Sequence, residues 1–347
     1  MSRADRSRDG DAEPPHARET NAWFGHAAAE RALLEAYRGG RIPHAWLIGG
    51  PAGIGKATLA YRMARFVLAH PDPSKPAVQA ATALAVDPAH PVARRIAARA
   101  HGDLLTLERT EGESGALRTV ITVEDVRRTL GFFGHTAGEG GWRVCIVDAA
   151  DELQYPQASN ALLKVLEEPP PRALFLLVSH APGRLLATIR SRCRHLALRP
   201  LAAEDVARAA AAALGGSEDE AAIAAAAAAA DGSVGRALQL LGGAALKVRE
   251  RVSELLAALP SVDPMALHAL GDALGRADPQ TFTTFVDTVR DWLSTRLARG
   301  AGEPARLAQV AQVWEKLNRA AREVEVFNLD RKPMVFAVFG LLADAAR

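Results

Sequence analysis

Apolar residues fall into two kinds of pattern along the first two hundred positions. From Ala27 to Tyr37 they recur with a helical period, which predicts an amphipathic helix. His44 to Ile48 reads as a short buried strand, followed by a glycine-rich loop from Gly49 to Gly55. Lys56 to Ala69 is predicted helical, with Leu59, Met63, Phe66 and Val67 on one face. Residues 70 to 101 hold prolines and little periodicity beyond a short helix from Val92 to Ala100. Leu104 to Leu107 and Val120-Ile121 read as strand material, Val123 to Phe132 as a helix and Arg143 to Val147 as a buried strand. Asn160 to Leu166 is helical and stops at Pro169-Pro170-Pro171; Ala173 to Val178 is another buried strand. Short unbroken apolar strands alternating with helices predict an α/β fold with a parallel sheet.

After Arg199-Pro200 the strand signals vanish. Alanine-rich helices run to about Leu241, and a further all-helical region starts near Ala245. It carries the apolar stripes Phe282-Phe285-Val286-Val289-Leu293 and Val310-Val313-Leu317, read most simply as core. The expected plan is a disordered polar arm over 1–20, an α/β domain over 21–200, a small helical lid over 201–244 and a larger helical domain over 245–347.

Composition narrows the function. Of 347 residues, 49% are hydrophobic and 24% charged, a globular balance, and aromatics are only 5%, which favours helix packing through small side chains. The net charge of +2 argues against a protein that coats nucleic acid. Cys145 and Cys193 are too few and too far apart for a disulfide framework or a CxxC metal site, and read as reduced thiols in a cytoplasmic protein. No signal peptide is expected, and the most uniform apolar run, Ala224 to Ala230, is too short to span a membrane.

The glycine-rich stretch carries candidate chemistry. Gly50-Pro51-Ala52-Gly53-Ile54-Gly55-Lys56 fits GxxxxGK between a predicted strand and a predicted helix. Gly50, Gly53 and Gly55 would let backbone N–H groups turn towards phosphate oxygens, at the positive end of the following helix, with Lys56 reaching the β- and γ-phosphates. The next residue should offer a hydroxyl to Mg²⁺, but it is Ala57; Thr58 lies about 100° further round the helix. Asp148, at the end of the strand Val144 to Val147, fits a second contact to the metal. The glutamate that should follow it, to position the attacking water, is Ala149, and Asp151 is expected on a different backbone course. Two groups needed for hydrolysis are thus missing from one site. ATP or ADP could bind there; turnover is not expected.

Two further motifs are more specific. Asn160-Ala-Leu-Leu-Lys-Val-Leu-Glu-Glu-Pro-Pro170 resembles the signature of bacterial clamp-loader AAA+ subunits, and Thr188-Ile-Arg-Ser-Arg-Cys193 resembles that family's Ser-Arg-Cys motif. The resemblance covers about residues 22 to 240. It implies an AAA+ P-loop domain, a helical lid and a helical oligomerising collar. It also implies a place in a hetero-oligomeric loader, expected to be a pentamer, which sets a sliding clamp on primed DNA. Within the family, Ala57 and Ala149 favour a subunit that does not hydrolyse ATP over the motor subunits. So does Gly232-Ser233-Val234-Gly235-Arg236-Ala237, where a motor subunit carries a sensor arginine at the position of Gly235. Arg236, one step off, is open to two readings: a displaced sensor or a solvated helix charge. The resemblance makes Arg192 an arginine finger for a neighbouring subunit's ATP, a role that suits a planar, permanently charged guanidinium. The four-cysteine zinc module of many relatives has no counterpart in 70–103, where His70, His90 and His101 lack metal-site spacing, so no zinc is expected. The alternatives are an active motor or remodelling AAA+ ATPase, which predicts turnover by the isolated chain, and a P-loop small-molecule kinase, for which no substrate-binding residues are evident.

Overall fold

A computed structural model describes residues 15–346 except 111–117, 135–140, 217–218, 242–243, 276, 278, 300–303 and 328. The chain divides into two compact units, Met1–Ala237 and Leu238–Arg347.

In the first unit α1 (Ala27–Arg38) leads into β1 (Ala45–Gly49), the phosphate-loop segment and α2 (Lys56–Ala69). Two short helices follow, α3 (Pro76–Ala80) and α4 (Pro91–Ala97), each opened by a proline that is already set for the first helical position. Then come β2 (Leu104–Leu107), α5 (Val123–Gly134), β3 (Arg143–Val147), α6 (Gln157–Glu167), β4 (Ala173–Ser179), α7 (Ala187–Arg192) and β5 (Arg194–Ala197). The five strands form one parallel sheet in the order β2-β3-β4-β1-β5. This is the α/β fold with a parallel sheet that the alternating pattern predicts. The unit continues into α8 (Ala203–Ala213) and α9 (Glu220–Ala229), and α10 (Val234–Leu241) begins in it.

The unbroken apolar strands are explained by cover on both faces. Trp46, Ile48, Val144, Ile146, Leu174, Leu176 and Val178 pack with Leu33, Leu34, Leu59, Met63 and Phe66 of α1 and α2. Their sequence neighbours Leu47, Cys145, Val147, Phe175 and Leu177 pack on the other face with Val126, Phe133, Leu162, Leu166 and Ile189 of α5, α6 and α7. The apolar residues of β1, β3 and β4 thus each have a core on their own side.

Three local expectations change. β5 carries no strand signal in the sequence because it is an edge strand of four residues, three of them exposed, and it begins Arg194-His195. Val120-Ile121 is not a ladder strand: Ile121 makes one isolated bridge to Leu153, with Ile121 N donating to Glu152 O at 2.7 Å. Of the polar arm, residues 1–14 lie outside the described residues, whereas 15–20 form a turn tied to α2. Arg65 donates to Thr20 O at 2.6 Å and to Asn21 Oδ1 at 2.7 Å, and Arg62 donates to Asn21 O at 2.8 Å and pairs with buried Glu30 at 2.8 Å.

The second unit is all helical: α11 (Ala244–Ala257), α12 (Pro264–Gly275), α13 (Pro279–Arg299), α14 (Pro304–Phe327) and α15 (Arg331–Ala346). Its core holds both predicted stripes, with Phe282, Phe285, Val286, Val289, Leu293, Val310, Val313 and Leu317 all buried against Val335, Val338 and Phe339. Among the described residues no helix is long and apolar enough to cross a membrane.

Candidate functional site

The loop between β1 and α2 has the backbone that the motif requires. Gly50, Gly53 and Gly55 have φ of 148°, 73° and 94°, values open to glycine and strained for other residues. Gly55 caps α2 without a side-chain bond, so the first amides of a 14-residue helix point into the loop.

The carbonyls of this loop are tied down by the chain itself. Lys56 is buried, and its Nζ donates to Pro51 O. Ser233 Oγ donates to Ala52 O at 3.0 Å, Gly235 N donates to Gly53 O at 3.1 Å, and His26 Nε2 meets Ile54 O at 3.0 Å. Four consecutive carbonyls are therefore held by α2, by Ser233 and the first turn of α10, and by the residue that opens α1. The fit around Gly53 is close: a Cβ there would lie 2.2 Å from Ser233 Oγ.

The groups beside the loop are not those of a hydrolytic centre. Ala57 is half-buried against the α1–α2 core and offers no oxygen; Thr58 is half-buried at the next position. Asp148 stands just past β3, its N–H donating to Leu107 O at 2.8 Å. Burial, together with Glu108 and Glu152, pushes its carboxyl up to about 6, against the pull of Lys56. Burial in turn lowers Lys56 to about 8, opposed by Asp148 and Asp151. Ala149 is buried and contributes no carboxylate.

Asp151 does follow a different course. It accepts from Ser179 Oγ at 2.5 Å, from His180 N, and from Ala181 N at 3.3 Å, tying the turn after β3 to the end of β4. Burial, and then Lys56, lowers the pKa of the neighbouring His180. Arg236 pairs with Asp231 at 3.1 Å, and its N–H donates to Ser233 Oγ at 3.2 Å. A magnesium-nucleotide hydrolysis site does not fit this donor set, because the hydroxyl and the water-positioning carboxylate are both replaced by methyl groups.

The histidines of 70–103 have local roles. His90 caps α4 by accepting from Val92 N at 3.2 Å, His101 accepts from Asp103 N at 3.2 Å, and His70 closes α2.

Arg192 lies elsewhere in the unit, as the last residue of α7. Below it Ile189 and Cys193 are buried in the α5–α7 core, which fixes the backbone, and burial pushes the Cys193 thiol up to about 12. The guanidinium is one-third exposed; Nη1 donates to Thr188 O at 3.0 Å and Nη2 pairs with Glu167 Oε1 at 2.6 Å. Glu167 belongs to the Asn160–Pro170 motif, so the two family-like motifs meet here. Sequence reading missed both this pair and the clamp on the loop carbonyls. The Ser233-to-Gly235 turn was legible only as a departure from a sensor.

Comparison with known proteins finds relatives among DNA polymerase III subunits. A family model described as "DNA polymerase III, delta subunit" matches residues 25–202, just over half of the chain. The delta' subunit of DNA polymerase III from Pseudomonas aeruginosa is 40% identical over 157 residues, which are 45% of this chain and 43% of that protein. The delta' subunit from Escherichia coli is 33% identical over 239 residues, 68% of this chain and 66% of that protein. The tau subunit from Salmonella typhimurium is 29% identical over 264 residues, 75% of this chain and 36% of that protein. The match thus spans less than half of the first relative and about two-thirds of the second. With its loop, its Asn160–Pro170 and Ser-Arg-Cys motifs and these relatives, the chain belongs to the DNA polymerase III delta-subunit family, among proteins of the delta' type.

Proposed function

We propose that this chain is a structural AAA+ subunit of the DNA polymerase III clamp loader. It acts in DNA replication with other loader subunits in a hetero-oligomer, read as a pentamer, and through the complex it serves a sliding clamp and primed DNA. The helical domain over 245–347 supplies the collar. ATP or ADP at Lys56 plays no hydrolytic part, and zinc has no place in 70–103.

The observation that carries this reading is a contrast within one unit. The chain's own loop lacks the metal hydroxyl and the water-positioning carboxylate, while Arg192 stands one-third exposed with guanidinium donors to spare. A guanidinium can neutralise charge developing on a transferring phosphoryl group in another subunit's site, an effect worth about 10³–10⁵ in rate in related NTPases. The test is a reconstituted loader. Arg192→Ala is expected to depress ATP turnover of the complex while assembly is retained, and the purified chain alone should turn over no ATP. Turnover by the isolated chain that disappears in Lys56→Ala would establish a motor ATPase instead.

A further inference from the structure

Glu167 is the final residue of α6, where the negative end of the helix dipole disfavours a carboxylate. It is followed by Glu168 and by three prolines. Both glutamates are exposed, yet only Glu167 makes an ion pair among the described residues, and its partner is Arg192 at 2.6 Å. A pair this exposed adds little to stability, so fold maintenance is a poor account of it.

Its geometry suggests another one. Arginine has five N–H donors. Thr188 O and Glu167 take two of Arg192's, one from each terminal nitrogen, which fixes the plane of the guanidinium and leaves three. A free arginine side chain samples many rotamers and must give them up when it engages phosphate. Held on two sides, Arg192 has already done so.

We propose that Glu167 is a positioning residue for Arg192. It holds the guanidinium in the orientation from which the remaining donors meet phosphate oxygens on a neighbouring subunit. The proposal rests on the finger reading of Arg192 and adds to it a partner in the same chain.

The experiment uses the full reconstituted loader and reads kcat and KM for ATP, complex assembly and the chain's melting temperature. Glu167→Ala is expected to lower kcat about tenfold while leaving KM, assembly and melting temperature near wild type. Glu167→Gln keeps an oxygen acceptor and is expected to recover most of that loss. In the Arg192→Ala background, Glu167→Ala is expected to have no further effect, because its role runs through the arginine. If Arg192→Ala lowers turnover and Glu167→Ala does not, the positioning role is wrong and the finger stands. If Arg192→Ala leaves turnover unchanged, both readings fail. A Glu167→Ala chain that loses assembly or melting temperature together with kcat would make the pair structural. A rise in kcat would make it a restraint, and either outcome overturns the proposal.

Discussion

The phosphate loop and the Arg192 corner sit in the same compact unit, and the chain treats them in opposite ways. At the loop, inward-facing groups serve the chain itself: Lys56 binds Pro51 O, Asp151 ties β3 to β4, and Ser233, Gly235 and His26 hold three more loop carbonyls. At the corner, a cation is held on a rigid base with donors left over. A group that must act on another molecule has to keep some of its hydrogen-bonding capacity outside the fold. The corner has kept it; at the loop the lysine and four carbonyls are engaged within the chain, while the first amides of α2 still point into the loop.

The largest expected effect tests the corner. In a reconstituted loader, Arg192→Ala should lower turnover at the site it serves by about 100-fold or more, with the melting temperature of the chain little changed, since an exposed pair is worth about 0–1 kcal/mol. A loader that keeps wild-type steady-state ATPase would remove the asymmetry on which the comparison rests.

The next effect tests the loop as a structural joint. Gly53→Ala places a methyl where Ser233 Oγ now lies, at a residue with φ of 73°. The strain and the displaced turn should together cost about 2–3 kcal/mol in denaturant unfolding. The same substitution in a loop that closed on nothing would cost only the backbone strain, about 1 kcal/mol. A loss of that smaller size would mean that the turn before α10 is not seated on the loop.

Asp148→Asn tests the burial of charge beside the loop. The folded carboxyl titrates near 6, above the ordinary value of 3.8. The native state therefore holds the proton more tightly than the unfolded chain does. The stability associated with that proton is fully present below about 4 and is lost as pH rises through about 6. Asparagine escapes the loss, so the variant should gain on the order of 2 kcal/mol over wild type above pH 7 and converge with it towards pH 4. A constant difference across that range would show that the carboxylate is not desolvated in solution.

Much of this was legible beforehand because burial leaves a strong mark on sequence. The strands Ala45–Gly49, Arg143–Val147 and Ala173–Ser179 are covered on both faces and read as unbroken apolar runs. The helix Lys56–Ala69 read as a single apolar stripe, yet it is buried on every side from Leu59 to Val67, Arg62 and Arg65 included. β5 left no such mark: its place is set by backbone pairing to β1, and its side chains are mostly exposed. At the site, the missing hydroxyl and carboxylate were legible because Ala57 and Ala149 fall at fixed offsets from Lys56 and Asp148. The clamp could not be read in the same way. Ser233 Oγ reaches Ala52 O across 181 residues of sequence, and no local pattern encodes such a pairing. Glu167 and Arg192 are separated by 25 residues, and each belonged to a recognisable motif without any sign that the two motifs touch.

The smallest expected effect is the sharpest test of the contrast, because a hydrolysing site would make it the largest. In such a site the loop lysine meets the transferred phosphate, and its loss is disabling. Here Lys56 is buried, donates to a carbonyl of its own loop, and has its pKa lowered by burial from 10.5 to about 8. A lowered lysine pKa means that the charged form penalises the native state below about 8, a penalty that fades as pH rises towards 10.5. Lys56→Met keeps the length and apolar body of the side chain and removes that penalty at neutral pH. It also removes a bond to Pro51 O and the one nearby cation that pulls Asp148 down. These contributions oppose one another, so the net change in unfolding free energy at pH 7 should stay within about 1 kcal/mol. Steady-state ATPase of the reconstituted loader should stay within about twofold of wild type. Adding Asp148→Asn should make the double variant more stable than Lys56→Met alone above pH 7, since the carboxylate left without its lysine is then gone. A fall in turnover as deep as that of Arg192→Ala would place Lys56 on a phosphate after all, and the loop would belong with the corner.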